Sequence, residues 1–354
     1  MTPYVSKKLQ KLRNKYVAPF LHAYRLKKER ETYARSSASE AYREGKDDFA
    51  LYRILGNDLP PRHRPGQTLA NLEFCLVNEP DFEDCQKWWV VNRIFDENRR
   101  RDILACLKDY GQNYITIDFD PSAYARIAND PDLSPYLDGS REPLAEKARN
   151  RALLAALRPK ILYAINNNGA RNAALAHGKK RAKWILPFDG NCMISGRGWR
   201  AIRQTAKQRS IYPYHVVPMH RLTDNDRMLD EHFSPVCDEE PQIMFHRFSG
   251  ESFDPRLPYG RSPKAELLMR VGVRGPWDLW EVDPWDIPPV QSCTDWGHFT
   301  VSDGWVGRLY SGNVIQETGR KSSVRRMANR DDGIVRAIAE LDKRYGSPDL
   351  GPDI

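Results

Sequence analysis

Short apolar segments alternate with segments of helical periodicity between residues 50 and 190. The segments "ALYRIL", "KWWVV" and "NYITI" each run into a polar loop, and a fourth, "KWILPF", ends near Phe188. Apolar residues at helical spacing occupy "GQTLANLEFCLVNEP" and "ENRRRDILACLKDYG", and a short helix is predicted from about Gly169 to His177. Because strands that alternate with helices pair in parallel, the pattern predicts an α/β fold with a mostly parallel central sheet flanked by helices.

The segments outside this region are less regular. "SIYPYHVVPMHRLTD" is predicted to form a pair of strands, and residues 238–310, rich in Trp, Pro and Gly, are predicted to be irregular. "SSVRRMANRDDGIVRAIAELDKRYG" has the apolar spacing of an amphipathic helix. We therefore divide the chain into a basic helical N-terminal segment (1–46), a main α/β domain (47–320) and a C-terminal helix with a tail (321–354).

The net charge of +8 is concentrated near the N-terminus, where residues 7–35 contain ten Lys or Arg and two Glu. Apolar residues recur there every three to four positions, which is typical of an amphipathic helix. Such a helix would dock on an anionic membrane surface or on another acidic partner. Alternatively, it packs on its own domain and its charges are solvated.

Composition excludes some classes of protein. The mean hydropathy is −0.67, and no run of 18 apolar residues occurs, so we expect no spanning helix. The basic N-terminus lacks the apolar core of an export signal. The six cysteines have neither zinc-site nor disulfide-framework spacing. We expect free thiols and a cytoplasmic location. The basic N-terminal segment would place the protein at the periphery of the inner membrane face.

Polar residues follow three of the predicted strands. In an open α/β sheet, ligands bind beyond the carboxyl ends of strands, so these residues indicate a ligand site. Ordinary turn chemistry also favours Asn, Asp and Gly, and this alternative stays open. The three polar ends are Gly56-Asn57-Asp58, Asn92-Arg93 with Asp96, and Asp189-Gly190-Asn191.

The segment "NNGARNAALAHG" places Gly169, Arg171 and Asn172 in the first turn of the predicted helix. Free N–H groups and the helix dipole make such a turn a site for phosphate, and Arg171 would add charged donors. The next strand delivers Asp189 to the same region. A carboxylate beside a bound diphosphate is a ligand that Mg²⁺ or Mn²⁺ uses to bridge the two.

Together, "NNGARNAALAHG" and "WILPFDGN" resemble the core of GT-A-fold glycosyltransferases of the family-2 type. The resemblance spans about residues 50–250 and implies a nucleotide-diphospho-sugar-binding α/β sandwich, which would make 47–320 a GT-A-like catalytic domain. Asp189 would be the first acid of the metal-binding D-x-D motif. Asn191 stands where the second acid is expected, so a bound Mg²⁺ or Mn²⁺ would be held more weakly.

The same resemblance assigns residues to the sugar nucleotide. Gly169, Arg171 and Asn172 would contact its diphosphate end. Arg308 would clamp the diphosphate, whereas His298 is either a third metal ligand or a structural histidine. Five residues on the first two strands would line the base and ribose pocket: Arg53, Asn57, Asn92, Arg93 and Asp96.

An inverting transferase also needs a carboxylate that deprotonates the acceptor hydroxyl. In "DEEPQI" we take Glu240 as the first choice, Glu239 as the second, and Asp238 as the third acid of the run; the alternative is a solvated acidic loop. Acceptor contacts are predicted in "YGRSPKAELLMRVGVRGPWDLW", where aromatic rings would stack on sugars or pack in the core. These candidates are Arg261, Lys264, Trp277, Asp278 and Trp280.

The sequence therefore favours a metal-assisted, inverting glycosyltransferase of polysaccharide biosynthesis. It would move a sugar from a nucleotide-diphosphate donor to a glycan or lipid-linked acceptor. A nucleotidyltransferase is a rival, although "GNDLPPRHRPGQ" only loosely resembles its Gly-rich loop. A non-catalytic glycan-binding protein on a degenerate transferase fold is another. A nucleic-acid-binding protein is disfavoured, since no nucleic-acid motif accompanies the charge.

Overall fold

The computed structural model describes residues 18–130, 146–261, 263–275, 285–287, 293–310 and 322–346. Within these ranges the chain is an α/β protein whose strands form one sheet flanked by helices. Nine strands are described: β1 Phe49–Leu55, β2 Cys85–Asn92, β3 Asn113–Ile117, β4 Trp184–Asp189, β5 Cys192–Met193, β6 Tyr214–Arg221, β7 Glu239–His246, β8 Phe299–Val301 and β9 Val306–Arg308.

The sheet has the order β3-β2-β1-β4-β7-β6-β9-β5, and β8 also pairs with β6. Strands β3, β2, β1 and β4 are parallel, as the alternation of strands and helices predicts. However, β7 is antiparallel to both β4 and β6, and β5 is antiparallel to β9. The prediction of a mostly parallel sheet is therefore wrong, and the sheet is mixed.

The predicted strand pair in "SIYPYHVVPMHRLTD" is in fact the single strand β6. Pro218 lies within this strand, at a shift in register between Val217 and Met219 against β7. A proline in a sheet lacks the N–H that a ladder needs, and a bulge removes that requirement. Residues 238–310 are also more regular than predicted, since they contribute β7, β8, β9 and a short helix.

Helices cover the sheet and close its ends. Those of the described residues are α1 Ala18–Ala34, α2 Ser37–Glu40, α3 Gln67–Asn78, α4 Glu97–Asp109, α5 Pro121–Ala125, α6 Glu146–Ala156, α7 Arg158–Ala164, α8 Asn167–Gly178, α9 Gly196–Gln208, α10 Ala265–Arg270 and α11 Ser322–Tyr345, with a 3-10 turn at Asn225–Leu229. Helix α8 packs closely on the sheet, because a Cβ on Gly178 would lie 2.7 Å from Cγ2 of Ile185. Glycine at this helix end therefore permits the contact.

Helix α1, which belongs to the predicted membrane-docking segment, packs on the α/β body. His22 Nε2 lies 3.0 Å from the carbonyl oxygen of Gly272, and the Tyr33 hydroxyl donates to the carbonyl of Ile211 at 2.7 Å. Leu21 and Tyr24 remain exposed. Membrane docking stays a prediction, now restricted to the outer face of this helix. Among the described residues, no helix has both the length and the apolar character needed to cross a membrane.

Arg53 of β1 forms a buried ion pair with Glu79. Its side chain is 1% exposed and pairs with Glu79 just beyond α3, while its Nε donates to the Cys192 carbonyl at 2.7 Å. Glu79 also accepts from the backbone N–H of Ile194 at 2.9 Å. These contacts connect β1, the end of α3 and β5, so Arg53 supports the sheet.

Removing the charge of Glu79 should destabilise the fold. We expect Glu79→Gln to lower the free energy of unfolding by about 3 kcal/mol, because it leaves the Arg53 charge buried without its carboxylate. Replacing both residues by Leu should cost less than the single change. Asp332→Asn, in the exposed pair with Arg336, is the control and should change stability by less than about 0.5 kcal/mol. Urea unfolding measures all three, and equal effects of the first and last variants would contradict the assignment.

Two buried histidines flank the indole ring of Trp184. The ring centroids of His215 and His246 lie 4.7 and 5.0 Å from that of the indole. Burial lowers the pKa of both histidines from 6.5 to about 3. Because the folded-state pKa lies below the unfolded value, their contribution to stability is complete above pH 6.5 and is lost as the pH falls below it.

Stability should therefore decrease between pH 7 and pH 4. One histidine contributes at most about 1.4 kcal/mol per pH unit over this range. We expect His215→Leu to reduce the slope, because Leu binds no proton in the unfolded state. Exposed His232→Gln provides the control for a change at a solvated position. Thermal unfolding across the pH range tests this, and an unchanged slope for His215→Leu would show that the residue is not a buried neutral base.

Candidate functional site

The candidate site lies where the order of the parallel strands in the sheet reverses. From β1 the chain proceeds to β2 and β3 on one side and then returns to β4 on the other side. Such a switch point opens a crevice between the carboxyl ends of the two central strands. Here, Ile54 of β1 is in register with Asp189 of β4, so the two strands end together. Gly190 allows this close approach, because a Cβ there would overlap the carbonyl oxygen of Ile54.

A pocket occupies this crevice, with about 1030 Å³ of empty space when its open mouth is included. Its walls come from the loop after β1, the first turns of α3 and α8, and the carboxyl ends of β2, β4, β6 and β9. Asp58 holds the first of these loops in place. Its carboxylate accepts from the N–H of Gly66 at 2.7 Å and of Thr68 at 2.9 Å, and from the Thr68 hydroxyl at 2.8 Å.

Asp189 is the centre of a polar cluster at the pocket floor. Its Oδ1 accepts from Arg171 Nη2 at 2.6 Å. Its Oδ2 accepts from Gln242 Nε2 at 3.0 Å and lies 3.4 Å from Lys264 Nζ. The Lys264 ammonium also lies 3.4 Å from Glu240 Oε1. The cluster therefore joins α8, β4, β7 and the residue that precedes α10.

The surrounding cations determine the charge state of Asp189. Burial by itself would raise its pKa, but the charges of Lys264, Arg171 and Arg308 outweigh burial and hold that pKa well below its ordinary value. Because the folded pKa is depressed, the stabilising pairs persist above the ordinary carboxyl range and weaken only as the pH falls towards the depressed pKa. Asp189 is thus a carboxylate throughout the physiological pH range.

The pocket is rich in cationic side chains. Four arginines line it, against the two carboxylates of Asp58 and Asp189. His63 adds no charge at neutral pH, because burial, together with Arg62 and Arg308, lowers its pKa to about 3. The four lining arginines are Arg62, Arg171, Arg221 and Arg308. Helix α8 also begins at the pocket, and Asn167 in its first turn lines the wall. These features suit an anionic ligand.

Arg308 has unused hydrogen-bonding capacity. Its side chain is 22% exposed, and its nearest ionic partner is Glu239, at 3.8 Å. Its guanidinium donates no hydrogen bond to any of the described residues, and the buried Nε atoms of Arg308 and Arg171 have no acceptor among them. The carboxylates of Glu239 and Asp189 outweigh burial and raise the pKa of Arg308, so it is cationic. It is therefore a donor available to a ligand.

The three acids proposed as catalytic bases differ in their surroundings. Glu239 accepts two hydrogen bonds from Arg221, at 2.8 and 2.7 Å. Although burial raises its pKa, Arg221, Arg308 and Arg326 lower it to about 2, which makes Glu239 a poor proton acceptor. Asp238 is exposed, whereas Glu240 is 30% exposed and borders Lys264 of the Asp189 cluster. None of the three acids lines the pocket, and Glu240 is the one that borders the Asp189 cluster.

The structure brings only some of the predicted nucleotide residues to the pocket. Asn57 and Asn92 line it, together with Arg171 and Arg308. Asn57 bridges to the next strand, since its Nδ2 donates to the Arg93 carbonyl at 2.8 Å and its Oδ1 accepts from the Phe95 N–H at 3.0 Å. The polar ends of β1 and β2 are therefore connected directly.

Other predicted nucleotide residues have structural contacts instead. Arg53 lies in the buried pair with Glu79. Arg93 bonds to the Tyr163 carbonyl and stacks over its ring, and Asp96 caps α4 by accepting from the N–H of Asn98 and Arg99. Asn172 makes two hydrogen bonds with the backbone of Phe253, and Gly169 packs against the side chain of Asn166. None of the five belongs to the pocket wall.

Of the three predicted metal ligands, Asp189 and Asn191 line the pocket, whereas His298 does not. His298 immediately precedes β8, whose first residue pairs with Tyr214 at the amino end of β6, whereas Arg221 at the carboxyl end of β6 lines the pocket. His298 stacks on Tyr33 of α1 instead. Asn191 lines the pocket, but both oxygens of Asp189 are already bonded within the protein. Among the described residues, no three His, Cys, Asp or Glu side chains form a metal-binding group.

The predicted acceptor residues separate in a similar way. Lys264 is 3% exposed and belongs to the Asp189 cluster, whereas Arg261 pairs with Asp286. Trp277, Asp278 and Trp280 lie outside the described residues.

Sequence reasoning missed several residues of the site. Arg221 ends β6 and Gln242 lies early in β7, so both reach the pocket region only through the antiparallel part of the sheet. Arg221 does follow an apolar strand, which is the signal that identified Asp189. Arg62 and His63 belong to the basic segment "PRHR", whose charge was visible but had no predicted location.

Comparisons with known proteins do not assign the chain to a family. No protein-family model matches the chain. A search of curated proteins finds no significant match.

The charge balance of the Asp189 cluster can be tested through stability. We expect Asp189→Asn to lower the free energy of unfolding by about 3 kcal/mol, because Arg171 and Lys264 lose their shared carboxylate. Adding Lys264→Met should recover part of this loss, since one unpaired cation is removed with the anion. Asp303→Asn, in an exposed pair with Arg209, is the control. Urea unfolding measures each variant, and a double variant less stable than Asp189→Asn would contradict this arrangement.

Proposed function

We propose that the protein is a glycosyltransferase that uses a nucleotide-diphospho-sugar donor, on a GT-A-like fold. One observation carries the proposal: an arginine-lined pocket lies at the switch point of the sheet, between the first turn of α8 and Asp189. These are the two motifs on which the resemblance to family-2-type transferases depends. The order and direction of strands β3, β2, β1 and β4 support the proposal, because they place both motifs at one edge.

The pocket wall offers the kinds of chemical group that a nucleotide needs. Binding sites for small molecules and cofactors combine apolar walls with a few polar groups that fix orientation. Here Ile165, Leu309 and Tyr259 supply apolar or aromatic surface, and the amides of Asn57 and Asn92 supply hydrogen-bonding groups. The arginines lie in the same cavity. A ligand with a base at one end and a diphosphate at the other would use both kinds of wall.

Two groups of residues would act in transfer. Arg171 and Arg308 would stabilise the negative charge that develops on the departing nucleoside diphosphate. Glu240 would accept the proton of the acceptor hydroxyl, because it borders the cluster and is partly exposed. Attack from the face opposite the diphosphate would invert the anomeric carbon. Lys264 would position Glu240 relative to Asp189.

The acceptor in this proposal is a glycan or a lipid-linked sugar of polysaccharide biosynthesis. The exposed outer face of α1 would bring the enzyme to an anionic membrane surface, where lipid-linked acceptors are held. Arg261 would contact the acceptor.

A panel of nucleotide sugars tests the proposal directly. We expect at least one donor to raise the unfolding temperature, because it binds the folded protein selectively. The same donor should be hydrolysed slowly or transferred. Glu240→Gln should preserve binding and lower turnover by about 100-fold or more, since the general base is lost. Exposed Glu231→Gln is the matched control and should keep full turnover.

Two results would contradict this proposal. Failure of every nucleotide sugar to bind would remove the donor assignment. Binding without any hydrolysis or transfer would instead favour a non-catalytic sugar-nucleotide-binding protein on the same fold.

A further inference from the structure

The Asp189 cluster lacks the donor set of a divalent metal site. Mg²⁺ requires an octahedron of oxygen ligands, and protein carboxylates usually supply the anionic ones. At the pocket floor, Asp189 is bonded to Arg171 through one oxygen and to Gln242 and Lys264 through the other. Two of these three partners are cations that a metal ion would have to displace. Asn191, at the position of the second expected acid, brings no charge.

The arginines of the pocket can supply the positive charge that a metal ion would otherwise supply to a diphosphate. A diphosphate needs positive charge beside its oxygens, and arginine supplies it with a planar fork of N–H donors. Arg171 is held in place by Asp189 and by Asn168, whose Oδ1 accepts from its Nη1 at 2.8 Å. Arg308 also lines the pocket, and its guanidinium makes no hydrogen bond to the described residues. One cation is thus fixed, and the other is available.

From this geometry we propose that the pocket binds the diphosphate of its ligand through its own arginines, without a divalent cation. Asp189 acts as an anchor that orients Arg171 and Lys264 and not as a metal ligand. Arg308 makes the principal new contact with the diphosphate oxygens, and Arg62 and Arg221 add positive potential around it. The identity of the anion as a nucleoside diphosphate rests on the proposed function, whereas the arginine site itself rests on the pocket.

The Arg308 contact requires a change of partner and no change of fold. Its nearest carboxylate, Glu239, is already neutralised by two hydrogen bonds from Arg221. The Arg308 guanidinium can therefore turn towards a ligand without leaving Glu239 unpaired. A charge-assisted hydrogen bond of this kind contributes enough to change affinity by about tenfold or more.

Titration calorimetry with inorganic pyrophosphate tests the proposal on the full chain. In buffer with EDTA and matched ionic strength, we expect wild-type protein to bind pyrophosphate. Arg308→Gln should weaken binding by about tenfold or more, and Arg308→Lys should weaken it less because the charge remains. Arg200→Gln, at an exposed position of α9, is the matched control and should bind like the wild type. Thermal unfolding of each variant confirms that it is folded.

A second comparison uses nucleoside diphosphates with EDTA or with Mg²⁺ and Mn²⁺. We expect affinity that is no higher with either metal than with EDTA, because no metal bridge contributes and the metal competes with the arginines for the diphosphate oxygens. Absence of pyrophosphate binding in EDTA, or affinity that rises tenfold or more with either metal, would overturn the proposal. These results are distinct from failure of the proposed function. Pyrophosphate binding in EDTA without binding of any nucleotide sugar would support the arginine site and remove the donor assignment.

Discussion

The carboxylate of Asp189 joins parts of the molecule that lie far apart in the sequence. Through Arg171 it connects the end of β4 to α8, through Gln242 it connects to β7, and through Lys264 to the start of α10. Each of these contacts replaces hydration that the charges lose on burial. Because a partly buried carboxylate with two cationic neighbours is stable only when the geometry holds, the cluster fixes the floor of the pocket. The positions of the pocket arginines depend on it.

This arrangement also explains how one cavity can concentrate positive charge. Like charges in a confined space repel each other. Each pocket arginine must therefore lie away from the others or pair with a carboxylate. Arg171 is compensated by Asp189, and Arg221 by Glu239. Arg308 shares both carboxylates at longer range, so it keeps a high pKa while its donors remain available. The low pKa of His63 follows from burial and from the same field. These contacts allow four arginines to lie in the wall of one pocket.

The predictions from sequence succeeded where the pattern was local. Strands β1 to β4 and helices α3, α4 and α8 lie where apolar periodicity placed them, and the polar ends of β1 and β4 do line one pocket. The predictions failed where the pairing of strands or the direction of a side chain decides which residues reach the pocket. The segment "SIYPYHVVPMHRLTD" was predicted to be a pair of strands but forms one strand, and Arg53 was assigned to the pocket although its side chain pairs with Glu79. Because side chains alternate along a strand, Arg53 points to the opposite face of the sheet from its neighbours on β1. The sequence does not show which of the two faces carries the site, because that depends on how the helices pack.

The sequence by itself determined the α/β class, the parallel half of the sheet and the placement of Asp189 and Arg171 at a strand end and a helix start. These features follow from hydrophobic periodicity and from the chemistry of turns, which act over a few residues. Only the tertiary structure decided that Lys264 and Gln242 would meet Asp189, that Arg221 and Arg308 would enter the pocket, and that His298 would lie elsewhere. The reason is physical: ion pairs and hydrogen bonds between distant segments depend on strand order and direction, and a local pattern of apolar residues specifies neither.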